Sequence, residues 1–339
     1  MPYLEVRSAL NLVKQSFPKA PHWPQLPQRG SVESFVRQYL TPLDNLHLVS
    51  INEGETPFFY DQESDWLERM ERFYDLYLKC QEGDDSSLSF FSFPPDSAEG
   101  FYAFLQEEWK DLNPVILKGQ VSGPLSLGLQ VSAGDNSAAF YNQELRDILT
   151  KSLSLTARAQ VRELKKLNYP VLIFFDEPAL LAYGQSSYVA LSRSDIYESL
   201  REVVLAVKDE GAYCGIHSCS GVDWSILFEL PLDVVNFDAY SYFDSLLVYT
   251  EEIETFLKEG GCLGWGIVPS SEEVEKEDAR SLKEMFSQEV KRLVEKGVSE
   301  DLLLEQYILT PSCGVGTVSI PHTERIYHTA SELHKLLSS

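Results

Sequence analysis

Apolar positions along the chain fall into two periodicities. Short, mostly apolar runs at residues 88–93, 115–121, 171–175, 213–219, 234–238, 262–268 and 307–311 predict strands. Between them, apolar residues recur at helical spacing. Residues 3–17 carry Leu4, Ala9, Leu10, Leu12, Val13 and Phe17, and Trp66, Met70, Phe73 and Tyr77 share one helical face. Further helices are predicted through Phe101, Phe104, Leu105 and Trp109, across 142–167, from Ser192 to about Lys208, across 276–296, and from about His322 to Leu337. Ser192, with Asp195 three residues later, has the form of a helix start. Residues 47–51 and 57–60 flank Asn52-Glu53-Gly54-Glu55 and read as a β-hairpin, and 31–39 as a short helix. Pro18, Pro21, Pro24 and Pro27 force an extended segment around Trp23.

Strands alternating with helices imply parallel pairing through crossovers. Seven strands in this order, with an eighth to close the ring, predict a (β/α)8 barrel of the TIM type formed by one domain over 1–339. Residues 28–85, with the hairpin and its neighbouring helices, read as an inserted or elaborated N-terminal segment.

Polar residues gather at the C-terminal ends of the strands: Ser122, Asp176 and Glu177, His217 and Cys219, Asp238, and Cys313. In a barrel these ends face a single opening. Alternate residues of a strand share a face, so His217 and Cys219 point the same way and Cys214 the other. A His-x-Cys pair at one strand end and Cys313 at another suit a tetrahedral zinc site. Taken singly, each is explained by a buried cysteine or a hydrogen-bonded core histidine; their joint placement favours metal. Asp238 is the candidate fourth ligand, or an acceptor behind the histidine. Asp176 and Glu177 end the most apolar strand, where carboxylates are expensive to bury without a cation. They read as contacts for a substrate amino group, or for an internal Arg or Lys. Ser122-Gly123-Pro124 is either a substrate contact or a sharp turn. A two-thiolate zinc is a weak activator of water and a good holder of a nucleophilic sulfur, which points to alkylation of a thiol.

The formal net charge of −24 disfavours nucleic acid and anionic membranes as partners. No apolar run reaches membrane-span length. Five cysteines without a CxxC pair argue against a disulfide framework and fit a reducing cytoplasm. No strand is followed by Gly-x-Gly-x-x-Gly, so no dinucleotide site is signalled.

These motifs together resemble the superfamily of cobalamin-independent methionine synthase and uroporphyrinogen decarboxylase, and within it the short, single-barrel methionine synthase-like members. Residues 118–124, Lys-Gly-Gln-Val-Ser-Gly-Pro, are similar to the family's Lys-Gly-x-x-Thr/Ser-Gly-Pro strand. Asp176-Glu177-Pro178-Ala179-Leu180 is similar to its Asp-Glu-Pro-Ala-Leu, where the aspartate holds the amino group of the amino acid. His217-Ser218-Cys219 and Pro311-Ser312-Cys313-Gly314 are similar to its zinc elements. The resemblance covers most of 85–338 and implies a cytoplasmic, zinc-dependent methyltransferase of methionine biosynthesis type, acting on a small thiol such as homocysteine. The chain departs from the family in four respects. It has the length of one barrel rather than two. Asp238 stands where the fourth ligand is usually Glu. Residues 264–270 hold no His to protonate a folate donor, which makes a methylcorrinoid such as methylcobalamin, carried by a corrinoid protein, the expected co-substrate. Finally, the family's first strand, ending in a Gly-Ser-x-Pro turn, has no counterpart before Met1, so the first strand is missing from the expected barrel. The alternatives are a decarboxylase-like enzyme, which needs arginines and no metal, and a non-catalytic module that binds zinc or a corrinoid.

Overall fold

Six of the seven expected strands form, and they lie side by side in chain order. In the computed structural model, which describes residues 1–338, the short antiparallel hairpin is β1 (Val49–Ser50) with β2 (Phe58–Phe59). The main sheet then runs β3 (Leu117–Ser122), β4 (Val171–Asp176), β5 (Tyr213–Ser218), β6 (Val234–Phe237), β7 (Cys262–Val268) and β8 (Tyr307–Pro311), every neighbouring pair parallel. Residues 21–23 extend it by a single parallel bridge, His22 to Lys118, with Trp23 N–H donating to the Lys118 carbonyl and Lys118 N–H to that of Pro21. An eight-stranded ring does not form among the described residues. The sheet is a curled six-stranded half-barrel.

Two faces of that sheet explain its composition. The outward residues Val121, Ile173, Phe175, Ile216, Val235, Phe237, Leu263, Trp265 and Ile267 are fully buried under the crossover helices. Beneath the inner face a small apolar plug of Leu172, Phe174 and Val234 meets Ile116, Cys262 and Ile308. Ile116 adjoins the first strand of the sheet and Ile308 lies on the last, so their meeting on one cluster reflects the curl. At the upper edge of the plug, which it shares at Ile308, one row of register partners crosses the sheet: Ser122, Asp176, His217, Asn236, Gly264 and Ile308. The site stands on this row.

The long helix Gln143–Lys165 forms where 142–167 is expected, capped by the Asn142 side chain, and Ser192 caps Arg193–Asp209 through the Asp195 N–H. The strand expected at 88–93 is not one. Asp84 caps a short helix, Asp85–Ser89, accepting from the Ser86 backbone and from the Ser86 and Ser87 hydroxyls. The aromatic residues that made this run look like a strand, Phe91 and Phe93 among them, turn into the core against Phe73, Trp23 and Tyr39.

Outside the half-barrel, Trp265 donates its indole N–H to Glu289 at 2.5 Å, and that carboxyl is buried. Burial pushes its pKa up to about 8, only partly offset by the indole. A folded-state pKa above the unfolded one means that protons bind the folded chain more tightly. The resulting stability is full below about pH 4.5 and is lost as pH rises through about 8, by on the order of 5 kcal/mol. Chemical denaturation of wild type between pH 5 and 9 is expected to show this decline, and Glu289→Gln to flatten it. An equal slope in both proteins contradicts the assignment.

Candidate functional site

The His217 side chain lies on the inner face and is buried. Its Nδ1 faces Asn236 Oδ1 at 2.6 Å. The amide of Asn236 is itself oriented: its Nδ2 donates to the Gly264 carbonyl at 2.7 Å and to Thr310 Oγ at 2.9 Å. A carbonyl can only accept, so Oδ1 must be the atom facing the imidazole, and the proton must sit on Nδ1. That leaves the Nε2 lone pair free. Nε2 is buried and has no hydrogen-bond partner. Gly264 is needed for this arrangement, because a Cβ there would stand 2.5 Å from Asn236 Nδ2.

Two thiols share the place with that nitrogen. Cys219 follows β5 on the His217 face and is half-buried; Cys313 follows β8 and is exposed. One ligand atom from each of His217, Cys219 and Cys313 lies within 4.8 Å of the others. Tetrahedral zinc bonds place such atoms roughly 3.5–3.8 Å apart, so a small contraction fits the metal. The Cys313 loop is fixed by Ser270, whose hydroxyl accepts from Cys313 N–H at 2.8 Å and donates to its carbonyl at 2.7 Å. Ser312 N–H also donates to the Val268 carbonyl at 2.8 Å.

The electrostatics follow from this crowding. The adjacent Cys313 thiol pulls Cys219 down to about 7, against its burial. Cys313 is pushed up first by Cys219 and then by the protein packed around its thiol, although the residue as a whole is exposed. Burial works against the charged form of His217, but Cys313, Asp176 and Asn236 together lift it above its usual range. The cluster therefore holds its proton and negative charge jointly, as a donor set for a cation does before loading.

The other sequence-derived residues are placed as follows. Asp238 is buried at the end of β6, and its side chain caps the turn Ala239–Tyr242 by accepting from Ser241 N–H at 2.8 Å; it lies outside the three-residue cluster. Asp176 is on the inner face beside His217, enclosed by protein yet with some solvent contact at the mouth, and its carboxylate accepts no hydrogen bond among the described residues. Burial raises its pKa, and Lys118 and His217 oppose that. Glu177, also expected to contact substrate, is fully buried. It points outward and accepts from Leu125 N–H, Ser126 N–H and Ser126 Oγ at 2.9, 2.9 and 2.6 Å, holding the start of the helix Pro124–Gly128. Ser122 is fully buried and donates to the Phe35 carbonyl, which ties residues 31–36 over the end of β3.

Sequence reasoning missed Asn236 and Ser270. Asn236 is the polar slot in an otherwise apolar strand, two residues before Asp238 and on the same face, and that spacing could have marked it.

The fold can be set beside that of a known protein. A candidate vitamin-B12 independent methionine synthase from Listeria monocytogenes, known by its crystal structure, superposes over 98% of this chain and 85% of its own, with a TM-score of 0.53 and 10% sequence identity. The likeness is one of fold. No protein-family model matches the chain, and no curated protein does so by sequence. No helix among the described residues is long and apolar enough to cross a membrane.

Loss of the amide behind His217 is expected to loosen any zinc ion held by this cluster. Asn236→Ala should weaken zinc affinity by about 10–100-fold, the usual effect of removing such a partner, and Gly264→Ala should act in the same direction by displacing the amide. Competition with a chromophoric chelator measures both, and unchanged affinity would remove Asn236 from the account.

Proposed function

We propose that the chain is a zinc-dependent methyltransferase that methylates a small thiol. The observation that carries this reading is the buried, unpartnered Nε2 of His217 facing Cys219 and Cys313. His217, Cys219 and Cys313 would hold the ion, with the fourth position left to Asp238 or to the acceptor. When bound, zinc lowers the pKa of a ligating thiol so that it is a thiolate at neutral pH. Asn236 keeps the imidazole in the ligating tautomer, and the Ser270 contacts keep Cys313 at the opening. Asp176, with no partner of its own, would take the acceptor's amino group. Methyl transfer to the sulfur would then be a direct displacement.

The donor we favour is a methylcorrinoid. Its methyl group leaves without protonation of a departing amine, and residues 264–270, beside the site, supply no histidine for such a step. A decarboxylase of the same superfamily would need arginines over an acidic substrate. The register row at the site has none, and Arg29 is engaged with Glu33 and with the Leu4 carbonyl. A non-catalytic zinc or corrinoid module differs from the enzyme in that its metal exchanges no ligand for added thiol. The test is methionine formation from methylcobalamin and homocysteine by zinc-loaded protein. Turnover abolished in Cys313→Ser supports the reading; absence of turnover together with failure of any thiol to reach the metal overturns it.

A further inference from the structure

A cavity of about 480 Å³ lies beside the end of β3, apart from the thiols. Three chain segments wall it, at residues 34–37, 56–57 and 129–132. Two of them are fixed to one another: Ser132 N–H donates to the Pro57 carbonyl at 2.9 Å, and Phe59 N–H to that of Ser132 at 2.8 Å. The third is anchored by Ser122, whose hydroxyl donates to the Phe35 carbonyl. Ser122 stands two strands from His217, roughly 10 Å at the usual strand spacing. The chain has 52 acidic residues against 28 basic ones, yet no residue lining this cavity is acidic. Its one charge is Arg37. That guanidinium donates to the carbonyls of Ile51 and Glu55 at 2.8 and 2.6 Å and pairs with no carboxylate among the described residues. Ser34 Oγ accepts from Arg37 N–H at 3.1 Å, which leaves its own proton to be donated. The hydroxyls of Thr56 and Ser132 make no hydrogen bond among the described residues.

Two neutral carbonyls hold the guanidinium in place but leave its charge uncompensated and most of its donors unspent. Such a fork matches the oxygens of a carboxylate or a phosphate. The hydroxyls decide between them. A carboxylate has only the two oxygens that the fork takes, whereas a phosphate offers a further oxygen to Ser34, Thr56 or Ser132. The helix Arg37–Asn45 adds no free donor at its start, because the N–H groups of Arg37, Gln38 and Tyr39 are bonded to Ser34 and Val36. The volume is that of a small-molecule site. We infer that this cavity binds the phosphate group of a small molecule, with Arg37 as its counter-charge. The site is separate from the thiol cluster and does not depend on the thiol-acceptor reading. Two sources share the chemistry: a free phosphate ester, and the phosphodiester in the nucleotide tail of a cobalamin-type donor.

The experiment titrates the full chain with inorganic phosphate by calorimetry in a phosphate-free buffer. Wild type should bind phosphate at one saturable site. Arg37→Gln should weaken it by about tenfold or more, through loss of the charge and the fork. Because Arg37 also holds two backbone carbonyls, a second variant leaves it in place: Thr56 is exposed, and Thr56→Glu sets a carboxylate against the guanidinium without disturbing a packed residue. Thr56→Glu should also cost about tenfold or more, by like-charge repulsion of the anion, while Thr56→Gln stays close to wild type. Methylcobalamin and methylcobinamide, which lacks the nucleotide tail and its phosphate, then separate the sources. A preference for methylcobalamin that Thr56→Glu abolishes supports the site with the donor's phosphodiester in it. Equal affinity for the two, with phosphate binding sensitive to Thr56→Glu, supports the site with a free phosphate ester as its ligand. Wild type that binds no phosphate and shows no preference between the corrinoids overturns the inference. Phosphate binding that is the same in wild type and Thr56→Glu overturns it too, whether or not Arg37→Gln folds. Neither result bears on the thiol cluster, whose metal is measured separately.

Discussion

Cys219→Ser and Cys313→Ser are each expected to reduce zinc from about one ion per chain to less than about a tenth of that under dialysis against a mild chelator. Both thiols sit with His217 Nε2 inside a 4.8 Å group. The hydroxyl that replaces either one is far harder to deprotonate and is a poor zinc ligand at neutral pH. Structural zinc sites contribute roughly 10–16 kcal/mol of apparent binding energy, so the loss of one of three protein ligands is not a marginal change. The two variants should also differ. Cys313 is exposed and held by Ser270 through its backbone, so its substitution should leave the fold intact. Cys219 is half-buried and held down to about 7 by Cys313, so its loss removes the more readily ionised of the two thiols. Elemental analysis of the purified variants measures this, and full zinc occupancy in either one contradicts the ligand assignment.

The second large effect concerns stability. Glu177 is fully buried, and both its oxygens are engaged at the start of Pro124–Gly128. Glu177→Ala orphans two backbone N–H groups and the Ser126 hydroxyl and leaves a void under Gly123, whose backbone packs so closely that a Cβ there would lie 2.1 Å from the Glu177 carboxyl. Each buried donor left unsatisfied costs about 1–3 kcal/mol, so the expected destabilisation is at least about 3 kcal/mol by denaturant titration. A loss below about 1 kcal/mol, the net value of one ordinary hydrogen bond, contradicts this role.

Much of this architecture is legible in the sequence because a half-barrel has an inside and an outside. The outward apolar residues mark β3 to β8, and the polar residues at their ends mark the opening. The run at 88–93 misleads because aromatic residues serve a strand and a core-packed turn equally well; only the Asp84-x-Ser86-Ser87 cap distinguishes them. Closure into eight strands is not legible, since it depends on a strand that would lie between residues 21–23 and β8. The adjacent carboxylates part company at the strand end: Asp176 closes β4 on the inner face, and Glu177, one residue past it, is turned to the backbone at the start of Pro124–Gly128. Asn236 escaped notice because its importance lies in which nitrogen of His217 it leaves free, a property of three-dimensional hydrogen bonding that spacing alone does not reveal.

The measurement that bears most directly on the central claim is X-ray absorption spectroscopy at the zinc edge, with and without homocysteine. The account predicts a metal bound by two sulfurs, one imidazole nitrogen and one light, exchangeable ligand, rising to three sulfurs when homocysteine is added. A shell that keeps its two sulfurs unchanged under saturating thiol, or a protein that takes up no zinc, would contradict it.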